Sequence, residues 1–324
     1  HYGWNITREN IALTHGSQSA FFSLFNCFGG SKGSSKKHVL LPITPEYIGY
    51  SDLGIEEDLF VSHNPVIEPL ADRMFKYHID FKKLDINTDT GLICVSRPTN
   101  PSGNVLTDEE CAQLDQLAQK NDVPLLIDNA YGTPFPHIIF RDVNPFWNDN
   151  TIVCLSLSKL GLPGVRTGIV VANKAIVKQI SNITAITSLA PGGTGPAIVN
   201  ELLLKHQLTS LCDEVIRPFY QQRCDWAVSI IKQVIDDDRL HIQLPEGAIF
   251  LWLWFEGLSI TTSELYEKLK QNGLLVVPGK YFFPGQNPVS SHAESCIRMN
   301  YVQSKEEMLR GIEILAKVLK RYWQ

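Results

Sequence analysis

The sequence lacks the features of a membrane span, a nucleic-acid binder or a disulfide scaffold. No apolar stretch reaches the ~20 residues that a bilayer-crossing helix needs, and no signal peptide is visible at the start. Lysine and arginine never form a run longer than two, as at Lys36–Lys37. With a net charge of −5 and a pI near 6.0, no basic footprint for nucleic acid is present. The seven cysteines (Cys27, Cys94, Cys111, Cys154, Cys212, Cys224 and Cys296) are odd in number, and none has C-x-x-C or zinc-like spacing. Several lie in apolar runs such as "GLICV" and "TIVCL", where they read as small buried hydrophobes. The expectation is a reduced, cytoplasmic protein with no metal site. Internal repeats and low-complexity segments are also absent.

The chain has 324 residues, 44% of them hydrophobic, enough for two domains or one large one. Apolar runs alternate with helical patterns as far as "TGIVVA". "NIALTHG" leads into "SQSAFFSLFNCF", and "HVLLP" and "LFVSH" follow. "GLICVSRP" precedes "LTDEECAQLDQLAQKND", where Thr107 and Glu110 have capping-box spacing. "VPLLIDNAYG" and "TIVCLSLSK" come next. Strands without polar alternation belong to sheets covered on both faces, and this alternation predicts an α/β domain with a mostly parallel sheet.

Beyond residue 210 the pattern changes. A long helical stretch precedes "HIQLPEGAIFLWLWF", then "TTSELYEKLKQNG" with a second capping box at Thr261 and Glu264, and Gly273 as its C′ residue. "LLVVPG", "CIRMNYV" and a terminal helix from Ser304 complete it. The predicted organisation is a large domain over 1–210 and a smaller α+β domain over 211–324.

Ligands of open α/β sheets bind beyond the carboxyl ends of the strands. The polar residues collected there are Gly16, Ser17, Gln18, Asn100, Asp128, Tyr131, Ser156, Ser158, Lys159 and Arg166. Singly, each has an ordinary explanation. A post-strand Asp128 caps a helix or binds a metal, Lys159 is a surface charge or phosphate contact, Arg166 pairs with an acid, and "NPSG" is a turn.

Their order is less ordinary. "RPTNPSG", then "DNAY", then "SLSK", then an arginine after "PG" resembles the fold-type I (class I/II) aminotransferases that use pyridoxal 5′-phosphate. The likeness continues through "PEGAIFLWLWF", "VVPG" and "RMNY". "LAPGG", "SLSKLGLPG" and "PEYIGY" narrow it to members that move the amino group of L-valine to pyruvate. A transaminase or β-lyase for other amino acids, and an aminotransferase-like effector domain of a transcription regulator, remain the alternatives.

The resemblance implies a role for each residue. Lys159 is the amine that joins the cofactor aldehyde and then carries protons, which an arginine cannot do. Asp128 holds the pyridine nitrogen protonated. Tyr131 and Asn100 face the ring's phenolic oxygen, and the ring of Tyr47 stacks on the cofactor. Gly16, Ser17 and Gln18 open a helix whose amides take the phosphate, together with Ser156, Ser158 and Arg166. Arg298 clamps the substrate carboxylate, with Asn100 beside it. Sites of this family lie at a subunit boundary, so a homodimer is expected. Two departures stand out: family members carry further residues ahead of the point where this sequence begins, and their "PEGG" reads "PEGA" at Pro245–Ala248.

Overall fold

The computed structural model describes residues 2–323. In chain order its strands are β1 (Ile11–Thr14), β2 (Gly30–Lys32), β3 (Ser35–Leu41), β4 (Phe60–Ser62), β5 (Val66–Pro69), β6 (Met74–His78) and β7 (Thr90–Ser96). These are followed by β8 (Leu125–Asp128), β9 (Thr151–Ser156), β10 (Gly168–Val171), β11 (Leu240–Gln243), β12 (Phe250–Phe255), β13 (Val277–Pro278) and β14 (Cys296–Asn300). The helices are α1 (Ser17–Phe28), α2 (Asp108–Lys120), α3 (Lys174–Ser188), α4 (Thr194–Leu204), α5 (Gln207–Leu211), α6 (Arg217–Val234), α7 (Thr262–Gln271), α8 (Ser291–Glu294) and α9 (Lys305–Leu319).

Eight strands form the first sheet in the order β1-β10-β9-β8-β7-β3-β2, with β4 on β3. Strands β4, β3, β7, β8 and β9 are parallel to their neighbours in that group. Strand β10 runs antiparallel to both β9 and β1, and β2 antiparallel to β3. The expected mostly parallel, mixed sheet between helices is therefore present. Its strands look continuously apolar because both faces are covered: Leu92, Cys94, Leu126 and Cys154 pack on the side of α1 and α3. The alternate residues Ile93, Val95, Leu125 and Ile127 pack on the side of α2. Phe21, Leu24 and Phe25 bury the inner face of α1 completely, each contributing ~1.5–3 kcal/mol by removal from water. Both predicted capping boxes form, at Thr107/Glu110 opening α2 and at Thr261/Glu264 opening α7.

The second sheet has six strands, β13-β14-β12-β11-β6-β5. Helices α6, α7 and α9 cover it through Ile231, Leu265, Leu269, Ile312 and Leu315. A division of the chain at residue 210 leaves β5 and β6 outside the sheet they belong to. Residues 66–78 join it by pairing β6 parallel to β11. Between α5 and α6 the helix widens to π geometry over Cys212–Ile216, inside the long stretch read as one helix.

Candidate active site

The carboxyl ends of β7, β8 and β9 lie side by side. Ser96 at the end of β7 is the register partner of Asp128 at the end of β8, and Asp128 is that of Cys154 on β9. The chain leaving these ends forms a cleft of about 260 Å³. Ten of the twelve sequence-predicted residues line it: Ser17, Gln18, Tyr47, Asn100, Asp128, Tyr131, Ser156, Ser158, Lys159 and Arg166. Gly16 and Arg298 flank it, the first against Arg166 and the second against Asn100.

Asp128 is buried at the cleft floor. Its Oδ2 accepts a hydrogen bond from the Tyr50 hydroxyl at 2.9 Å, and its Oδ1 one from the Ala130 amide at 3.0 Å. Burial pushes its carboxyl up to about 6, against the opposing pull of those two donors and of the Lys159 charge. Lys159 lies in a single 3-10 turn, Ser158–Leu160, ended by Gly161 at φ 96°. Its Nζ stands 5.3 Å from the centroid of the Tyr131 ring. Burial and then the positive Arg298 hold its amine below the usual lysine value, with Asp128 acting the other way. The Tyr131 hydroxyl is buried and has no hydrogen-bond partner among the described residues. A buried hydroxyl without a partner is costly, so the cleft is built to receive a polar atom there.

At the other end, Gly16 (φ 83°) precedes α1, whose first-turn amides have no partner within the helix. A Cβ on Gly168 would stand 2.5 Å from the Gly16 carbonyl carbon and 2.6 Å from the Ser17 amide nitrogen. Only glycine lets β10 pass so close to that turn. Arg166 has left-handed backbone, φ 46°, which returns its guanidinium to Gly16, where a Cβ would meet Cζ at 3.0 Å. Its Nη1 donates to Ser158 Oγ at 3.4 Å and to the Pro163 carbonyl at 3.2 Å. A helix N-terminus with a guanidinium fork beside it is an anion site.

Arg298 extends from β14 between two rings, 4.1 Å from the centroid of Phe250 and 5.0 Å from that of Phe282. Its Nη1 donates to Asn100 Oδ1 at 2.8 Å. The ring of Tyr47 lies over Gly49, where a Cβ would come within 2.6 Å of its Cζ. Ala248, at the family's second glycine of "PEGG", has φ 60°. Its carbonyl accepts from the Tyr301 hydroxyl and its amide donates to Ile138. These bonds hold the alanine in a conformation glycine adopts freely.

Several contributors went unassigned at the level of sequence. Tyr50, Ser96 and Glu46 stand behind Asp128, and Phe250 and Phe282 bracket Arg298. The signal for Glu46 and Tyr50 was the segment "TPEYIGY" shortly after β3, and for Ser96 its place at the end of "GLICVS".

The arrangement fits pyridoxal 5′-phosphate part by part. An anion site at α1 matches its phosphate, a carboxylate its ring nitrogen, the unpartnered Tyr131 hydroxyl its phenolic oxygen, and a desolvated amine its aldehyde. Comparison with known proteins gives the same result. Residues 1–315 match the family Aminotransferase class I and II. The valine–pyruvate aminotransferase of Escherichia coli K12 is 54% identical over 322 residues, 99% of this chain and 77% of that protein. The crystal structure of valine-pyruvate aminotransferase AvtA from Salmonella typhimurium LT2 superposes with a TM-score of 0.94 at 54% identity, covering 99% of this chain and 81% of that one. A putative amino-acid aminotransferase from Psychrobacter arcticum 273-4 gives 0.97 at 48% identity, over 100% and 77% of the two chains.

Proposed function

The chain belongs to the class I and II aminotransferases, and from that membership we propose how its cleft moves the amino group of L-valine to pyruvate, giving 3-methyl-2-oxobutanoate and L-alanine. The observation that carries the mechanism is the meeting of Lys159, Asp128, Tyr131 and Arg166 around one cleft with Arg298 at its edge. The cofactor is pyridoxal 5′-phosphate, which when bound supplies an electron sink for the electrons of a substrate Cα–H bond.

The protein's own groups do the rest. Ser17 and Gln18 at the start of α1, with Ser156, Ser158 and Arg166, hold the phosphate. Asp128 keeps the proton on the ring nitrogen, and a cation placed against it favours its ionised form. Tyr131 and Asn100 would hold the phenolic oxygen, and Tyr47 would line the ring's place in the cleft. Arg298 takes the α-carboxylate of valine with the donors that Asn100 leaves free, fixing which bond of Cα faces Lys159. The Lys159 amine, its basicity lowered by burial and by Arg298, removes the Cα proton in one half-reaction and returns one to the Cα of alanine in the other.

Selection of a small aliphatic side chain requires an apolar pocket, which discriminates by only ~1–3 kcal/mol per methylene. Alanine, valine and similar small aliphatic amino acids are accepted together. A second copy of the chain is its partner. Ile186, Leu189 and Leu204 on and after α3 and α4 are 85%, 88% and 73% exposed, apolar side chains that a two-fold contact would cover. The enzyme works in the cytoplasm, in keeping with seven cysteines of which none has C-x-x-C or zinc-like spacing.

The test is to add valine to the cofactor-loaded protein and follow the cofactor's visible absorbance, then to add pyruvate and measure alanine. A change with valine, reversed by pyruvate with alanine formed, is expected. An unchanged spectrum with a bound cofactor points to a sensor domain, and ammonia released from an amino acid to a lyase.

A further inference from the structure

A second carboxyl group stands directly behind Asp128. Glu46, between β3 and Tyr47, is fully buried. Its Oε1 accepts from the Ser96 amide at 2.8 Å, and its Oε2 lies 2.5 Å from Ser96 Oγ and 3.3 Å from the Tyr47 amide. Ser96 Oγ is 3.3 Å from the Tyr50 hydroxyl, which donates to Asp128 Oδ2 at 2.9 Å. Four side chains thus form one line, Glu46–Ser96–Tyr50–Asp128.

We infer that Glu46 is a protonated acid at neutral pH that heads a one-directional hydrogen-bond chain and so keeps the buried negative charge on Asp128, for which it is a positioning residue.

Counting protons supports this. With Asp128 carrying the charge that a protonated ring nitrogen requires, the Tyr50 proton points at Asp128. If Glu46 were ionised, the Ser96 proton would point back to it, leaving no proton between the Ser96 and Tyr50 oxygens. If Glu46 carries a proton, it donates to Ser96, Ser96 to Tyr50 and Tyr50 to Asp128, and every link is filled. The surroundings agree. Glu46 contacts Tyr47 on its own segment and Ser96 on β7, and feels the nearby Tyr50, Cys94 and Asp128, while its amide donates to the Phe282 carbonyl. No lysine or arginine pairs with it among the described residues. Burial first, and the Asp128 charge after it, push its carboxyl up to about 8 against the Ser96 and Tyr47 donors. Two carboxyls joined through two hydroxyls in a dry site favour a single charge.

The inference rests on the reading that Asp128 serves the ring nitrogen, and its test separates the two. Infrared spectra of the whole protein, without and with cofactor, are recorded with ¹³C-labelled glutamate at pH 7 and above pH 8. A protonated-acid carbonyl band that moves on glutamate labelling, fades as pH rises through about 8 and vanishes in Glu46→Gln is expected. No label-sensitive band at pH 7 overturns the proposal, and this holds in wild type even if the variants fail to fold. Glutamine can donate to Ser96, so Glu46→Gln keeps kcat within about 3-fold. Glu46→Leu cannot, and loses about 10-fold in kcat with the KM for valine unchanged. The pH at which the cofactor's visible band titrates shifts in the leucine variant alone. Equal losses in both variants would mean that the charge is needed, which also overturns it. If instead Asp128→Asn leaves the cofactor's titration unmoved, the reading of Asp128 fails while the Glu46 band stands.

Discussion

Arg298 on β14 donates its Nη1 to Asn100 Oδ1 at 2.8 Å, across 198 residues of sequence. This one bond joins the second sheet to the turn after β7 and uses one edge of a guanidinium already held between Phe250 and Phe282. The remaining donors are left in a fixed plane for a carboxylate. Lysine in the same place offers a point charge and loses both the fork and the ring stacking. Arg298→Lys is therefore expected to raise the KM for valine about 10- to 100-fold, the worth of one charge-assisted hydrogen bond, with the bound cofactor's spectrum unchanged. A raised cofactor Kd with normal KM would assign Arg298 elsewhere.

Lys159 occupies a turn, and among the described residues no other amine lines the cleft. Lys159→Ala removes both the covalent link and the proton carrier. Since proton transfer alone is worth about 10²- to 10⁴-fold, alanine formation should fall by at least about 10⁴-fold, with the visible absorbance of the mixture that of free cofactor. Partial rescue by added small amines, read as alanine formed, is expected, because the cavity left is the size of the missing side chain.

Asp128 and Arg166 lie at opposite ends of the cleft, and their loss should be felt differently. Asp128→Ala removes the partner of the ring nitrogen and should cut kcat by about 10²-fold or more while the cofactor still binds. Arg166→Ala removes one charged donor from the phosphate and should weaken cofactor binding about 10- to 100-fold, with kcat near wild type at saturating cofactor. Dialysis followed by activity and absorbance readings separates the two. Equal effects on both measures would contradict the division of roles.

What the sequence made legible follows the range of each signal. The capping boxes at Thr107 and Thr261 are local patterns with a local cause, and both form. Candidate residues could be collected because β7, β8 and β9 are short apolar runs whose ends are easy to place. Strands β5 and β6 were hidden: Val66–Pro69 is mostly exposed and contains a proline, and its membership of the second sheet depends on β11, far along the chain. Strand direction was hidden too, since nothing within "TGIVVA" says that β10 runs antiparallel to β9. Glu46 was the hardest to see. A glutamate in a turn reads as a solvated charge, and only the fold places Ser96 and Tyr50 between it and Asp128.

The same buried line predicts an inverted pH dependence of stability. Asp128 is pushed up to about 6 in the folded protein, by burial first, whereas an unfolded aspartate titrates near 3.9. Between those values the folded state binds more protons than the unfolded state, so stability falls as pH rises. The contribution is complete below about pH 4 and is lost by about pH 6. Asparagine removes the titration yet can keep the hydrogen bonds. Its oxygen accepts from the Ala130 amide, and its NH₂ donates to the Tyr50 oxygen. Without cofactor, Asp128→Asn should therefore melt at a higher temperature than wild type at pH 7, and the gap should shrink towards zero as pH is lowered to about 4. Adding the cofactor should favour wild type instead, because the carboxylate then faces a cation. Calorimetric scans of both proteins at several pH values decide it: a gap independent of pH, or one that grows on acidification, would show that the Asp128 carboxylate is not carried at a cost in the folded chain.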